Sequence, residues 1–281
     1  MTNKLNTWFV GSSDRKSPLS IYYPEHRENA EILLFAHGFK GFKDWGHFPL
    51  IQQYFADSGF IVLAFNFSHN GGTLEEEIDF PDLDAFSMNT YQKEVEDIGH
   101  VLDWMKANNE VQFTAVNLDK IHLLGHSRGG GIALLAGNKY DSIKKVVTWA
   151  AVADFLERLP NEEELNAWKN TGVHFIENGR TKQSMPMKYA FVDNLLSFPA
   201  ELNIQTSVIN LQKPLLLVHG VNDETVALEN AQRIKSWKKE AKLVVIERCN
   251  HTFNGKHPWV EAALPKATLD ALVHTTLFLK L

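Results

Sequence analysis

Lys120-Ile121-His122-Leu123-Leu124-Gly125-His126-Ser127-Arg128-Gly129-Gly130-Gly131-Ile132-Ala133-Leu134-Leu135 holds two apolar runs with a turn between them. The first run is short and suits a buried strand. The second, Gly131-Ile132-Ala133-Leu134-Leu135-Ala136-Gly137, suits a helix entering a core. Between them lies Gly-x-Ser-x-Gly in a strand–turn–helix context, which predicts a sharp, strained turn that lifts the Ser127 hydroxyl clear of a sheet. Gly125 and Gly129 have no Cβ and let strand and helix pass close beside the serine. The helix start turns the Arg128 N–H, and a partial positive charge, toward an anion formed there. A glycine-rich turn that merely contains a serine is the simpler alternative, and the rest of the chain decides between them.

The flanking pattern is one of apolar runs alternating with helical repeats. Thr7–Val10 and Leu19–Tyr23 read as a hairpin-like pair of edge strands around Gly11-Ser12-Ser13-Asp14. Glu31–Ala36, Gly59–Phe67, Ile143–Val152, Lys213–His219 and Lys242–Ile246 read as further strands. Phe48–Ala56, Tyr91–Met105, Leu228–Trp237 and Ala267–Leu279 read as helices, with Asp84 or Ser87 offered as a cap before the second. Apolar strands alternating with helices imply an α/β fold, a mainly parallel sheet covered on both faces, with ligands at the carboxyl ends of its strands. Residues 1–152 and 213–281 form the expected core. Residues 153–212 differ in character and read as an inserted lid that leaves and rejoins the sheet at its carboxyl edge. This segment holds the helix start Asn161-Glu162-Glu163-Glu164 and, at Asn178-Gly179, the signal for a tight hairpin turn. Its Phe155, Trp168, Phe175, Met185, Met187, Tyr189 and Phe191 are candidates to pack the lid and to line a pocket.

Composition narrows the function classes. A hydrophobic share of 44% over 281 residues supports a large core without disulfide or metal staples. The net charge is −6 with both signs mixed along the chain, so no basic stripe points to nucleic acid. No stretch approaches the roughly 20 apolar residues of a membrane helix. Met1–Asp14 has no apolar run of the signal-peptide kind. One cysteine, Cys249, forms no intrachain disulfide and fits a reducing, cytoplasmic setting.

A serine hydroxyl needs a base, and a histidine base needs a carboxylate to hold its tautomer. His251, in the loop after the last strand, is the candidate base, with His257 its neighbouring competitor. Asp223, after the penultimate strand, is the candidate acid, with Glu224 and Asp154 competing. The chain order Ser…Asp…His favours Asp223 and His251. A helix cap is the plainer reading of Asp223, and a surface-loop residue that of His251. Arg128 N–H and Phe39 N–H, the latter in His37-Gly38-Phe39, are the expected oxyanion donors. Lys40 and Lys43 read as solvated side chains.

Together, His37-Gly38-Phe39, Gly125-His126-Ser127-Arg128-Gly129, His219-Gly220-Val221-Asn222-Asp223 and Asn250-His251-Thr252-Phe253 resemble the α/β-hydrolase superfamily over nearly the whole chain. Within it the chain resembles bacterial carboxylesterases of the feruloyl or cinnamoyl esterase kind and the dienelactone-hydrolase-like group, although Ser127 stands where dienelactone hydrolases carry cysteine. Chlorophyllases share the Gly-His-Ser-Arg-Gly stretch. The resemblance implies a serine hydrolase of small-molecule esters that forms an acyl-enzyme without metal or organic cofactor. A peptidase or amidase on the same triad, and a ligand-binding protein that keeps the scaffold with weak turnover, are the alternatives.

Overall fold

The computed structural model describes residues 2–26, 28–108 and 118–281. Met1, the first residue of the stretch read for a leader, lies outside them. The strands are β1 (Thr2–Val10), β2 (Lys16–Pro24), β3 (Ile32–Ala36), β4 (Ile61–Phe65), β5 (Ile121–His126), β6 (Ile143–Trp149), β7 (Val173–Glu177), β8 (Ser184–Lys188), β9 (Leu215–Gly220) and β10 (Lys242–Ile246). Eight of them form one sheet in the order β1-β2-β4-β3-β5-β6-β9-β10. The pairs β1–β2 and β2–β4 are antiparallel and the rest parallel. β1 is an edge strand as expected. β2 is not, because its second side pairs with β4.

The helices are α1 (Phe48–Asp57), α2 (Leu83–Ser87), α3 (Tyr91–Ala107), α4 (Arg128–Lys139), α5 (Glu162–Thr171), α6 (Ala190–Ser197), α7 (Ile204–Asn210), α8 (Glu229–Trp237) and α9 (Lys266–Lys280). Side chains alternate across β3: Ile32, Leu34 and Ala36 join one core with α3 and α4, while Leu33 and Phe35 join the other with α1 and α9. That two-sided burial is why the central strands are apolar at every position. Truncating Ile98 or Phe55, both without solvent exposure, leaves a cavity costing about 2–5 kcal/mol.

Local chemistry moved three features. Leu83–Ser87 folds into its own short helix, so Asp84 and Ser87 lie inside it. Asp82 caps α2, accepting from Ala85 N–H at 2.9 Å, and Thr90 caps α3, accepting from Lys93 N–H at 3.2 Å. The hairpin β7–β8 forms, but Glu177 pairs with Ser184, which leaves a six-residue connection in place of a two-residue turn. Asn178 takes Gln183 O and Lys182 N–H by its backbone and Arg180 N–H by its side chain, and it is Lys182 that adopts φ 60°. Lys43 is buried, paired with Asp44 and with Glu77 at 2.6 Å. An unpaired ammonium there would be costly, so the acidic loop supplies its partner.

Residues 153–212 leave the sheet after β6 at its carboxyl edge. They return at the amino edge, where Leu215 pairs with Val146, because β6 and β9 are parallel and need a crossover. α7 makes that crossover: its Val208 and the following Leu211 pack into the core beside α4. Asn161 caps α5 through Glu164 N–H at 3.0 Å, and Gly172, at φ 74°, ends it. Among the described residues no helix is long and apolar enough to cross a membrane.

Four buried histidines are held neutral by burial: His37, His47 and His69 titrate at about 4 and His126 at about 3, against 6.5 unburied. Their depressed folded values mean that the unfolded chain binds more protons below about pH 6.5, so this share of stability is full above that pH and drains as pH falls toward about 4. Denaturant midpoints measured from about pH 7.5 down to about 4.5 should fall. A constant midpoint would contradict the neutral burial of these rings.

Candidate active site

The carboxyl ends of the parallel strands line up in register: Ala36 beside Gly125, His126 beside Trp149, and Gly220 beside Ile246. Each candidate side chain follows one of these ends. Ser127 sits between β5 and α4 at φ 58°, ψ −122°, a strained setting for a residue with a Cβ. Its N–H donates to Trp149 O at 2.8 Å and its carbonyl accepts from Gly130 N–H at 2.9 Å, so both faces of the turn are tied down. A Cβ on Gly125 would lie 2.1 Å from Gly129 O, and one on Gly129 would lie 2.3 Å from His37 O. Neither backbone can move away, so both positions require glycine.

The loop after β10 carries His251 to the serine. Ser127 Oγ is 2.9 Å from His251 Nε2, and His251 Nδ1 is 2.8 Å from Asp223 Oδ2. The Asp223 side chain has no solvent exposure. Its Oδ1 accepts from Thr225 and Val226 N–H at 2.9 and 2.8 Å. Burial pushes the Asp223 pKa up. Hydrogen bonds from His219 and His251, the charge of His251 and the Val226 N–H outweigh burial, so the carboxyl is held well below the usual carboxylate range. It remains a carboxylate and fixes the proton of a neutral His251 on Nδ1, leaving Nε2 to accept from the serine.

The competitors sit elsewhere. Asp154 accepts from Leu156 N–H at 2.7 Å, within its own turn. His257 Nδ1 accepts from Gly46 N–H at 2.7 Å, and the ring packs edge-on against Phe42. Glu224 is exposed.

Arg128 and Phe39, the expected oxyanion donors, line the same cavity as the serine. The α4 helix starts at Arg128, whose N–H therefore has no intrahelical acceptor. On the other side, the Gly38 carbonyl accepts from Gly41 N–H at 3.1 Å and from His37 Nδ1–H at 2.8 Å. The His37 tautomer follows from its other nitrogen, which accepts from Phe67 N–H at 3.2 Å. A trans peptide points its N–H opposite its carbonyl, so Phe39 N–H is turned away from His37. Gly38 itself lies against the serine: a Cβ there would be 2.9 Å from Ser127 Cβ.

Three histidines with no role assigned from sequence take part. Besides His37, His126 Nε2–H donates to His251 O at 2.9 Å and so ties the base loop to the elbow. His219 Nε2 lies 2.8 Å from Val226 O and 3.3 Å from Asp223 Oδ2, behind the acid. All three sit beside motif residues, but a sequence carries no sign of which way a ring points.

Ser127 and His251 sit where two cavities meet. One, of about 540 Å³, is walled by Tyr91, Phe155, Trp168, Met187 and Phe191 among others. The other, about 120 Å³, lies against Trp45, Phe48 and His126. Of the expected lining residues, Phe155, Trp168, Met187 and Phe191 reach the larger cavity. Met185 is wholly buried and Phe175 is exposed, while their neighbours His174 and Ile176 line the wall. The charged or titratable residues bordering this cavity are Lys40, Tyr91, Arg128, Arg158, His174 and His251, with no carboxylate among the described residues. Lys40 is half-buried, donating to Glu177 O at 3.1 Å. No group of three or more His, Cys, Asp or Glu with metal-site geometry occurs among the described residues.

The fold agrees with comparisons to known proteins. The uncharacterized peptidase YtmA of Bacillus subtilis is 24% identical over 189 residues, 66% of this chain and 61% of that protein. The chain thus spans less than two thirds of that relative's length. Est1E from Butyrivibrio proteoclasticus, solved with ferulic acid bound, superposes with a TM-score of 0.72 at 19% identity, over 96% of this chain and 98% of the other. A dienelactone hydrolase from Anabaena variabilis superposes with a TM-score of 0.63 at 16% identity, over 99% and 97%. Both share the α/β-hydrolase fold found here. Residues 46–262 match the Prolyl oligopeptidase family, and the chain belongs to that family.

Proposed function

We propose that the chain is a serine carboxylesterase in which Ser127 is the nucleophile, His251 the general base and acid, and Asp223 the carboxylate that orients it. The observation that carries this reading is the unbroken hydrogen-bonded path from Ser127 Oγ through His251 to a buried Asp223. His251 Nε2 takes the serine proton as Oγ bonds to the ester carbonyl carbon. Phe39 N–H and Arg128 N–H receive the oxyanion that forms. As the tetrahedral species collapses, His251 returns the proton to the leaving alcohol. Water, deprotonated by the same nitrogen, then frees the acid from the acyl-enzyme and restores Ser127.

The larger cavity supports an aryl or short-to-medium acyl group. Its aromatic walls suit a flat apolar body. With basic groups and no carboxylate on its border, it favours a neutral or anionic acyl group over one that carries an ammonium. Residues 153–212 act as a lid in this reading, since four of their aromatic and methionine side chains close the cavity. The ferulic acid bound to Est1E is an acyl group of this kind. A small-molecule ester is then the partner, and the buried single cysteine is in keeping with a cytoplasmic setting. Peptide or amide hydrolysis on the same triad is the second reading, favoured by the family and by the peptidase designation of YtmA.

A fluorophosphonate should label the chain, and peptide mapping should place the adduct on Ser127. An adduct elsewhere, or none on a folded sample, removes the nucleophile. Asp223→Asn should cut kcat on the order of 10⁴, the size of this change in a serine protease. Asp154→Asn and His257→Ala should leave the rate within a few-fold. If either of those variants loses activity as Asp223→Asn is expected to, the roles are misassigned. Across a panel of matched substrates, aryl-acyl esters with a neutral or anionic acyl group should outrank ones carrying an ammonium, and all should outrank the matching amides. Amides turning over faster than esters would favour the peptidase reading.

A further inference from the structure

The two residues proposed above as oxyanion donors, Arg128 and Phe39, touch through their side chains. The Arg128 guanidinium carbon lies 3.9 Å from the centre of the Phe39 ring, with Tyr91 and Phe191 at 5.0 and 5.3 Å. The opposite side of Phe39 stacks on Phe86 of α2, centroids 5.9 Å apart and planes 24° from parallel. Arg128 is 7% exposed, and one edge of its fork reaches Glu94 of α3 at 3.4 Å. Asn89 donates to the same Glu94 oxygen at 2.7 Å and thereby anchors the carboxyl. A planar cation is thus clamped between the loop after β3 and the body of α3.

We infer that the Arg128 side chain is a positioning residue: by stacking on Phe39 it holds the loop after β3 at the spacing from α4 that lets both N–H groups meet one oxyanion. The inference rests on the esterase reading above. Three restraints act on the loop: His37 and Gly41 hold the Gly38 carbonyl, Phe86 stacks on the Phe39 ring, and the guanidinium stacks on the same ring. Of these, only the guanidinium ties the loop to α4, and without it the Gly38–Phe39 peptide can shift relative to the helix start. The oxyanion exists only in the transition state, so a loosened donor lowers kcat and leaves ground-state binding nearly untouched. Arginine suits the task for its flat, delocalised face. Lysine keeps the charge near Glu94 but cannot stack in the same way.

The test is a double-mutant cycle on the full chain with the best ester from the panel. Arg128→Lys and Phe39→Leu should each lower kcat about tenfold, a part of the roughly hundredfold or more lost when a donor is removed outright. KM should stay within about threefold, and the double variant should be no slower than the worse single one, because both changes break one contact. A boronic acid, whose tetrahedral adduct places a negative oxygen at the oxyanion position, should bind weaker by the same factor as kcat falls. Affinity for the product acid should hold. Losses that multiply, an unchanged kcat, or a raised KM at constant kcat would each overturn the strut. If Arg128→Lys unfolds, Phe39→Leu alone decides, by the same kcat, KM and boronic-acid readouts. A wild-type chain that takes no label at Ser127 overturns the esterase reading and the strut together. A labelled wild type with unaffected variants overturns the strut alone.

Discussion

The site depends on a close approach between two stretches of backbone. Gly125 and Gly129 let β5 run into α4 with no side chain between them, and Gly129 also packs under the His37 carbonyl. Ser127 is forced into a left-handed φ by this turn, and its N–H is held by Trp149 O in the next strand. Strain of this kind costs of order 1–3 kcal/mol and survives only where the surroundings over-determine it. Here two neighbouring strands, β3 and β6, do so. The energy stored in the turn is repaid by the packing of the apolar face of α4, from Ile132 to Ala136, which is wholly or almost wholly buried.

Around the base His251, electrostatics are set by neutral rings and a buried negative charge. His37 and His126 are kept uncharged by burial, so each presents one donor and one acceptor in a set order. Asp223 is a buried carboxylate, and the groups facing it are donors: two backbone N–H groups, His251 and His219. The hydrogen bonds between Ser127, His251 and Asp223 therefore have one direction. Preorganised dipoles of this kind need no rearrangement when charge develops.

Much of this was legible in the residues. Apolar runs such as Ile32–Ala36 and Leu215–Val218 marked strands buried on both faces. The placing of Ser127, Asp223 and His251 after successive strand ends predicted their meeting. Other features depend on distant partners and leave no local mark. Lys43 looks like a surface lysine until Glu77 folds against it. Asp84 and Ser87 look like caps because a five-residue helix gives almost no periodic signal. Asn178-Gly179 has the composition of a two-residue turn, but Asn178 uses its side chain and backbone to close a longer loop. The histidine that braces the base loop, His126, was in plain view within the motif. Only its ring direction separates it from a bystander.

The route of residues 153–212 divides them into two parts under different selective pressure. The stretch as far as Phe191 contributes walls to the larger cavity. The stretch from α7 onward is the crossover that allows β9 to lie parallel to β6. Substitutions in the first part redraw the outline that a substrate meets and leave the sheet untouched. Substitutions in the second act on whether β9, and with it Asp223, arrives at all. A graft that exchanges the cavity walls therefore has its natural downstream seam at Asn203, ahead of the helix.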